Sequence, residues 1–470
     1  MFHLLRSENF GIVIPLSFFS GLSLSILVFL TVLIFDFMLN MSVVLTVYTF
    51  LPVISIGYLI KKKYSLKKYS MTFFVMSIFA IVASHLLLKN NSTILSYDSY
   101  KLVVIARSLG FNGWFIPDIQ VTLASWGISL VLIHALGVIF GLEYFSAFQF
   151  VLFMGTLSIF CGGLYAVYKQ IDLSIKQNLT LMLLGLLFLL STYFVVFQAF
   201  YLHNALISAC FLFTFLYLFW RCNSLIANQQ NSYIFLAMLM WTLFCLSRLE
   251  APLFGSILLL FVIWDRSFKN NLVIPNGIVA AILMVVIWQI KLITMIGGGS
   301  DISSPTRIYL LVAALLAISP LVFFQKQLFI RKTVTIIPYL VFGMILLVLS
   351  VLFLSKAKHM AQSAVALYAN IINLGNWGGS WLVLLLSIIF LYFLKGIRKF
   401  DIIFLIAPLT IFITIFSLSY LRNPYRTGWG DSGNRLILNT FFPIAFFVFL
   451  SLGRSLKLTL NKNCQQDKRI

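Results

Sequence analysis

The sequence predicts an all-α polytopic membrane protein with about 14 transmembrane helices and short external juxtamembrane helices. Three observations predict it. Hydrophobic residues make up 61% of the 470-residue chain and charged residues only 10%, where soluble domains carry about a quarter charged residues. Apolar runs of about 20 residues, the length that spans the hydrocarbon, recur from end to end. Lys and Arg gather in alternate loops, roughly 22 on one side and roughly 10 on the other, the asymmetry that cytoplasmic loops show. The formal net charge of +21 is accounted for by topology and by attraction to anionic lipid, without nucleic acid. Five cysteines without a CxxC spacing argue against both a disulfide framework and a zinc site.

The elements follow in order. The apolar run from Gly11 to Phe35 is too long for a signal-peptide core and no A-x-A-like site follows it, so it reads as a retained first helix. A second helix over 38–60 ends at Lys61, Lys62, Lys63, Lys67 and Lys68, which sets that loop in the cytoplasm. A third over 71–88 delivers a polar external loop, 89–120, to the opposite side. From Pro117 to Gly141 the chain is apolar but broken by Pro117, Gly127, His134 and Gly137, which reads as partial helices at the outer face. Spans are then expected over 146–168, 178–200, 204–220, 232–247, 250–266, 273–295, 307–325, 333–354, 377–395, 401–420 and 436–453. Both termini fall in the cytoplasm by this count. Three regions result: 1–70 with two additional helices and a basic loop, 71–270 as a catalytic core, and 271–470 with external loops 297–306, 355–380 and 421–435. The middle of 355–380 reads as an amphipathic helix at the interface.

Carboxylates collect on one face. Asp36, Asp98, Asp118, Glu143, Glu250, Asp301 and Asp431 all fall at or near the outer ends of spans. Asp98, in SYDSY about ten residues past a span, is ionised by default and suited to take a proton from a hydroxyl; the plainer reading is a solvated loop acid. Arg248 and Glu250 interrupt an apolar stretch from Tyr233 to Trp264. Charges so placed are costly and pair or face a cavity, so Arg248 is either a phosphate fork or simply the partner of Glu250. Arg422, Arg426 and Arg435 crowd one external loop, against the usual bias, for phosphate or for lipid head groups. Lys356, Lys358 and His359 form a looser cluster that also fits an interfacial role. Further candidates for substrate contact are Asp118, Glu250, Arg426 and Asp431. His85, His134 and His203 lie in or beside apolar segments without ligand spacing, so buried hydrogen-bonded histidines are expected there, not a metal site.

The stretch from Asp98 to Leu109, DSYKLVVIARSL, resembles the D-x-x-Y-x-x-x-A-R-x-L pattern of the GT-C superfamily of membrane glycosyltransferases, which includes protein O-mannosyltransferases and the aminoarabinose transferase of lipid A. Ala106, Arg107 and Leu109 follow suit. A corner like R-P-E-G is matched by Arg248, Leu249, Glu250, Ala251 and Pro252. The start of a late helix like R-Y-L-L-P is matched by Arg435, Leu436, Ile437 and Leu438 ahead of Pro443. The family core usually begins with the helix just before the acidic loop, whereas here two additional helices precede it; Ser99 follows Asp98 where mannosyltransferases have Glu, and His203 and Asn204 stand where many members carry Pro-Asp.

The resemblance implies Asp98 as catalytic base and Arg248 and Arg435 as holders of the donor phosphate. It also implies transfer of a hexose or pentose from a polyprenyl-phosphate donor to a glycan, lipid or protein acceptor of the cell envelope, with inversion and without a metal ion. The short loops suit a bacterial inner-membrane enzyme acting on the extracytoplasmic face. Two other classes stay open: an O-antigen or polysaccharide polymerase or ligase, which typically has one large external loop, and a lipid-linked sugar flippase or transporter. The latter places ionisable residues near the bilayer midplane, whereas those here sit mostly at helix ends.

Overall fold

A computed structural model describes residues 10–61, 94–115, 127–145, 148–222, 227–268, 275–296, 305–323, 328–394, 397–398, 401–421 and 423–466. The expected helix over 71–88, Asp118, most of the basic loop after the second helix and loop 297–304 lie outside them.

Helices dominate the described residues. They are α1 (Phe10–Ile34), α2 (Met41–Lys61), α3 (Tyr97–Asn112), α4 (Ile128–Ile139), α5 (Phe148–Gln170), α6 (Ile175–Ser191), α7 (Tyr193–Phe200) and α8 (Asn204–Cys222), followed by α9 (Ala227–Leu246), α10 (Ala251–Phe268), α11 (Pro275–Ile296), α12 (Pro305–Phe323), α13 (Leu328–Ala369), α14 (Ser380–Phe393), α15 (Ile403–Leu418) and α16 (Ser432–Gln466). Six of them are long and apolar enough on length and composition alone to cross a membrane, and the bent pair α6 and α7 passes the same test when the two are taken as one span. Shorter apolar helices, among them most of α9, α10, α14 and α15, fill out the bundle. The protein is an integral membrane protein of all-α architecture.

The centre of the bundle is α8, every residue of which is buried. It packs against α5, α9 and α16. Aromatic rings do much of the filling, with Phe446 of α16 set edge-on to Phe160, Phe213, Tyr217 and Trp220, arrangements that add to their area burial. Outer helices show the opposite pattern. Leu382, Val383, Leu385 and Leu386 on α14, and Leu183 and Leu187 on α6, are exposed, as lipid-facing positions must be when lipid is the solvent. Serine and threonine inside the spans return their hydroxyls to the carbonyl four residues back, as at Ser23, Thr156 and Thr214, which pairs those hydroxyls within their own helix.

Three elements differ from the sequence expectation. The stretch expected as an external loop contains the four-turn helix α3. Ser96 caps it by accepting from Ser99 N, Gly113 closes it in the left-handed conformation, and Leu102, Ile105, Ala106 and Leu109 form its buried stripe. The span expected over 178–200 breaks at Thr192 with a bend of 69°. The span expected over 333–354 runs on through a break at Lys356 (φ −141°, ψ 47°) and ends in a π turn, Asn370–Leu374. The middle of 355–380 is helical, as expected.

Loop contacts bring distant segments to one end of the bundle. Ile94 N donates to Phe200 O at 2.7 Å and Leu202 N to Ile94 O at 3.2 Å. Phe194 N donates to Asn376 O at 3.0 Å, and Thr192 Oγ1 meets Ser380 Oγ at 2.7 Å. At the other end, Asp401 accepts from the Trp220 indole at 2.9 Å and pairs with Arg454, which ties α8, α15 and α16 together there.

Candidate active site

Asp98 occupies the first turn of α3, where the unpaired N–H groups of a helix start favour a negative charge. The helix start is itself fixed. Ser96 Oγ lies 2.7 Å from Tyr201 Oη, and Ser99 Oγ donates to Leu202 O at 2.8 Å. The link between α7 and α8 therefore sets where the carboxylate sits.

Arg435 comes to it from 337 residues away: Nη1 donates to Asp98 Oδ2 at 3.1 Å. The Arg435 side chain is 10% exposed and that of Asp98 35%, so the pair lies on the boundary between interior and solvent. An arginine in the first turn of a helix opposes the helix dipole, so the stability of α16 does not explain its position. Its Nε is buried and has no hydrogen-bond partner among the described residues. Asn439, one turn further along the same face of α16, is fully buried with both side-chain amide atoms also unpartnered among the described residues.

A set of asparagines holds the loop before Arg435. Asn434 accepts from the Trp377 indole at 2.6 Å and donates to Gly375 O at 3.1 Å. Asn370 donates to Arg426 O at 2.9 Å and accepts from Gly428 N at 2.7 Å. Asp431 caps α16, Oδ2 accepting from Gly433 N at 2.8 Å and Asn434 N at 3.2 Å while Oδ1 accepts from Arg426 N at 2.9 Å. Its carboxylate is thus committed to backbone, which sets it among the groups that position Arg435.

Arg248 lies in the turn between α9 and α10, 8% exposed, with Nε donating to Glu250 Oε2 at 3.3 Å. The pairing expected as the plainer reading is present, and the remaining guanidinium nitrogens leave the fork available for a phosphate as well. Gly127, at the start of α4 with φ +74°, presses on this turn: a Cβ there would stand 2.3 Å from Ser247 C and O and 2.6 Å from Arg248 N.

His203 joins the two arginines. It is 3% exposed, stacks on Tyr201 with ring centroids 5.5 Å apart, and accepts from Ala205 N on Nδ1 at 3.1 Å. Burial first, and then the Arg435 and Arg248 guanidiniums, hold its imidazole well below its ordinary value. It is therefore a neutral ring with its proton on Nε2, near enough to both guanidiniums to feel their charge.

His203, Asn434, Asn370 and Gly127 carry no sequence signal that marks them as part of the site. A lone histidine at the edge of an apolar run carries no spacing signal; that it senses the charge of both arginines is a product of the fold.

The other candidates sit elsewhere. Lys356 stacks over the Tyr420 ring at 5.0 Å and His359 Nε2 donates to Ser419 O at 2.8 Å, so both attach α13 to the end of α15. Lys358 and Arg426 are exposed. Among the described residues no three His, Cys, Asp or Glu side chains cluster as metal ligands do.

Fold and site together define a polytopic all-helical membrane protein with a carboxylate, two arginines and a neutral histidine at one end of its bundle. No protein-family model and no curated protein matches the chain. It is similar in structure, at a TM-score of 0.41 and 13% identity over 84% of its length, to the Archaeoglobus fulgidus oligosaccharyltransferase, whose crystal structure holds an acceptor peptide containing the NVT sequon tethered by a disulfide bond. The matched region is 50% of that protein, so the chain spans about half its length.

Proposed function

We propose that the protein is a GT-C-type glycosyltransferase that moves a monosaccharide from a polyprenyl-phosphate donor to a cell-envelope acceptor on the extracytoplasmic face. Asp98 accepts the proton of an acceptor hydroxyl as its oxygen forms a bond to the anomeric carbon from the face opposite the phosphate. The bond from that carbon to the phosphate oxygen breaks, its electron pair leaves on the phosphate, and configuration inverts. Arg435 and Arg248 offset the charge on the departing phosphate, an electrostatic role worth most in a site largely shielded from water. His203, uncharged, adds a hydrogen-bond donor without a third positive charge.

The observation that supports this reading is the contact between Asp98 and Arg435. Asp98 and Arg435, from opposite halves of the chain, meet with the carboxylate 35% exposed, and His203 senses the charge of Arg435 and of Arg248; this suits a base and an anion holder that share one site. A transporter would favour ionisable groups at mid-depth, and these lie at helix ends. The test is the glycan and glycolipid profile of a strain carrying Asp98→Asn at matched membrane abundance. Loss of a general base costs about 10²- to 10⁴-fold in rate, so the product of the enzyme should vanish from the envelope; a profile identical to wild type removes the base role.

A further inference from the structure

We infer that the phosphate of a polyprenyl lipid competes with Asp98 for Arg435, so that lipid binding is what frees the base. This rests on the donor-phosphate reading above and adds an order of events to it. Arg435 Nη1 donates to Asp98 Oδ2 at 3.1 Å, so one carboxylate oxygen is already occupied and the group is held toward the arginine instead of an acceptor hydroxyl. Arg435 has unused capacity beside that contact: its Nε is buried without a partner among the described residues. Asn439, buried one turn further along the same face, offers two more unpaired polar atoms. Buried polar atoms left in this state are costly, and the two non-bridging oxygens of the donor phosphodiester supply acceptors for Nε and for the Asn439 amide nitrogen. The phosphodiester of the donor carries a single charge, as the carboxylate does, but its two non-bridging oxygens can engage the guanidinium fork at two nitrogens together. Asp98, at 35% side-chain exposure, can then turn toward the acceptor without leaving the site. The sequence is donor first, base released, acceptor second, which keeps the base quiet until a donor is present.

The prediction runs against the usual expectation for a catalytic residue: removing the base should improve donor binding. Purified protein in phosphatidylcholine nanodiscs is titrated with a polyprenyl-phosphate-linked hexose, a phosphodiester. Asp98→Asn should bind it about three- to fivefold more tightly, the size of releasing a partly exposed ion pair. Loss of one negative charge near a phosphate would also tighten binding, so the measurement is a double-mutant cycle. In an Arg435→Gln background the gain from Asp98→Asn should disappear, while in an Arg248→Gln background it should persist. Arg435→Lys replaces the glutamine variant if that one misfolds, since an ammonium lacks the fork that serves two acceptors; the gain should shrink there too. Unchanged or weaker binding by Asp98→Asn, or a gain that survives the loss of Arg435, overturns the exchange. Sugar transfer by wild-type membranes is read separately. A protein that passes the binding cycle but transfers nothing keeps the exchange and refutes the transferase reading.

Discussion

Gly127→Ala separates a structural account of Arg248 from a merely local one. The residue has φ +74° and ψ 154°, a region that belongs to glycine, and forcing alanine there costs on the order of 1–3 kcal/mol. Space adds a second term. The new Cβ would stand 2.3 Å from Ser247 C and O, so the turn must retreat by about 1 Å to reach ordinary contact, and close-packed interiors do not absorb that freely. Together the two terms predict a loss of about 3–5 kcal/mol. Because the atom next in line is Arg248 N, at 2.6 Å, the displaced group is the backbone that carries the arginine. A shift of about 1 Å at a positioning group costs about 10²-fold in rate.

Gly141→Ala is the matched control. It has φ +83° but nothing within 4 Å of its Cβ position, so it carries the conformational term without the clash. Thermal melts in detergent, donor binding and transfer are measured for both. Gly127→Ala should fall well below Gly141→Ala in all three. Equal behaviour of the two, with Arg248-dependent donor binding intact, would refute the claim that Gly127 seats the Arg248 turn.

Asn434→Ala removes the partners of the Trp377 indole and of Gly375 O, a loss of about 2–3 kcal/mol; it should lower the melting temperature and weaken donor binding together, and a change in one alone would separate fold from site. Asp431→Ala withdraws the cap of α16, worth about 1 kcal/mol, and should cost more donor affinity than Arg426→Ala, which the titration of each in nanodiscs will decide. His203 has a folded-state pKa well below its ordinary value, while the unfolded chain takes a proton near about 6.5. Its contribution to stability is therefore complete above that pH and is lost as pH falls toward the folded pKa. His203→Gln should flatten the fall of melting temperature between about pH 6.5 and 4.5; an acid limb as steep as wild type would show that the histidine is not held neutral by the fold.

The membrane architecture was legible because hydrocarbon tolerates few patterns, and a run of about 20 apolar residues has one reading there. Asp98, Arg248 and Arg435 were legible for the same reason: in a chain with 10% charged residues, an ion beside an apolar run needs an explanation. Clustering in sequence was a poorer guide than isolation. Lys356, Lys358 and His359 stand together in the chain, yet the first and last serve the junction of α13 with Tyr420 and Ser419. Helix α3 was hidden by its polar surface, although Ser96 as cap, Gly113 as terminator and the apolar spacing of Leu102, Ile105, Ala106 and Leu109 spell a helix.

What sequence could not supply is the pairing. Asp98 and Arg435 are 337 residues apart, and nothing local to either names the other. Their meeting is set by backbone and neutral side chains: Tyr201 on Ser96, Leu202 on Ser99, Trp377 and Gly375 on Asn434. Apart from the Asp431 cap of α16, this frame carries no charge, which suits a site beside lipid, where each further ion would be expensive. It also means that variants of the neutral frame should reach the chemistry as surely as variants of the ions. Tyr201→Phe, which deletes only the hydroxyl that meets Ser96 at 2.7 Å, should slow transfer while leaving the charge of the site unchanged.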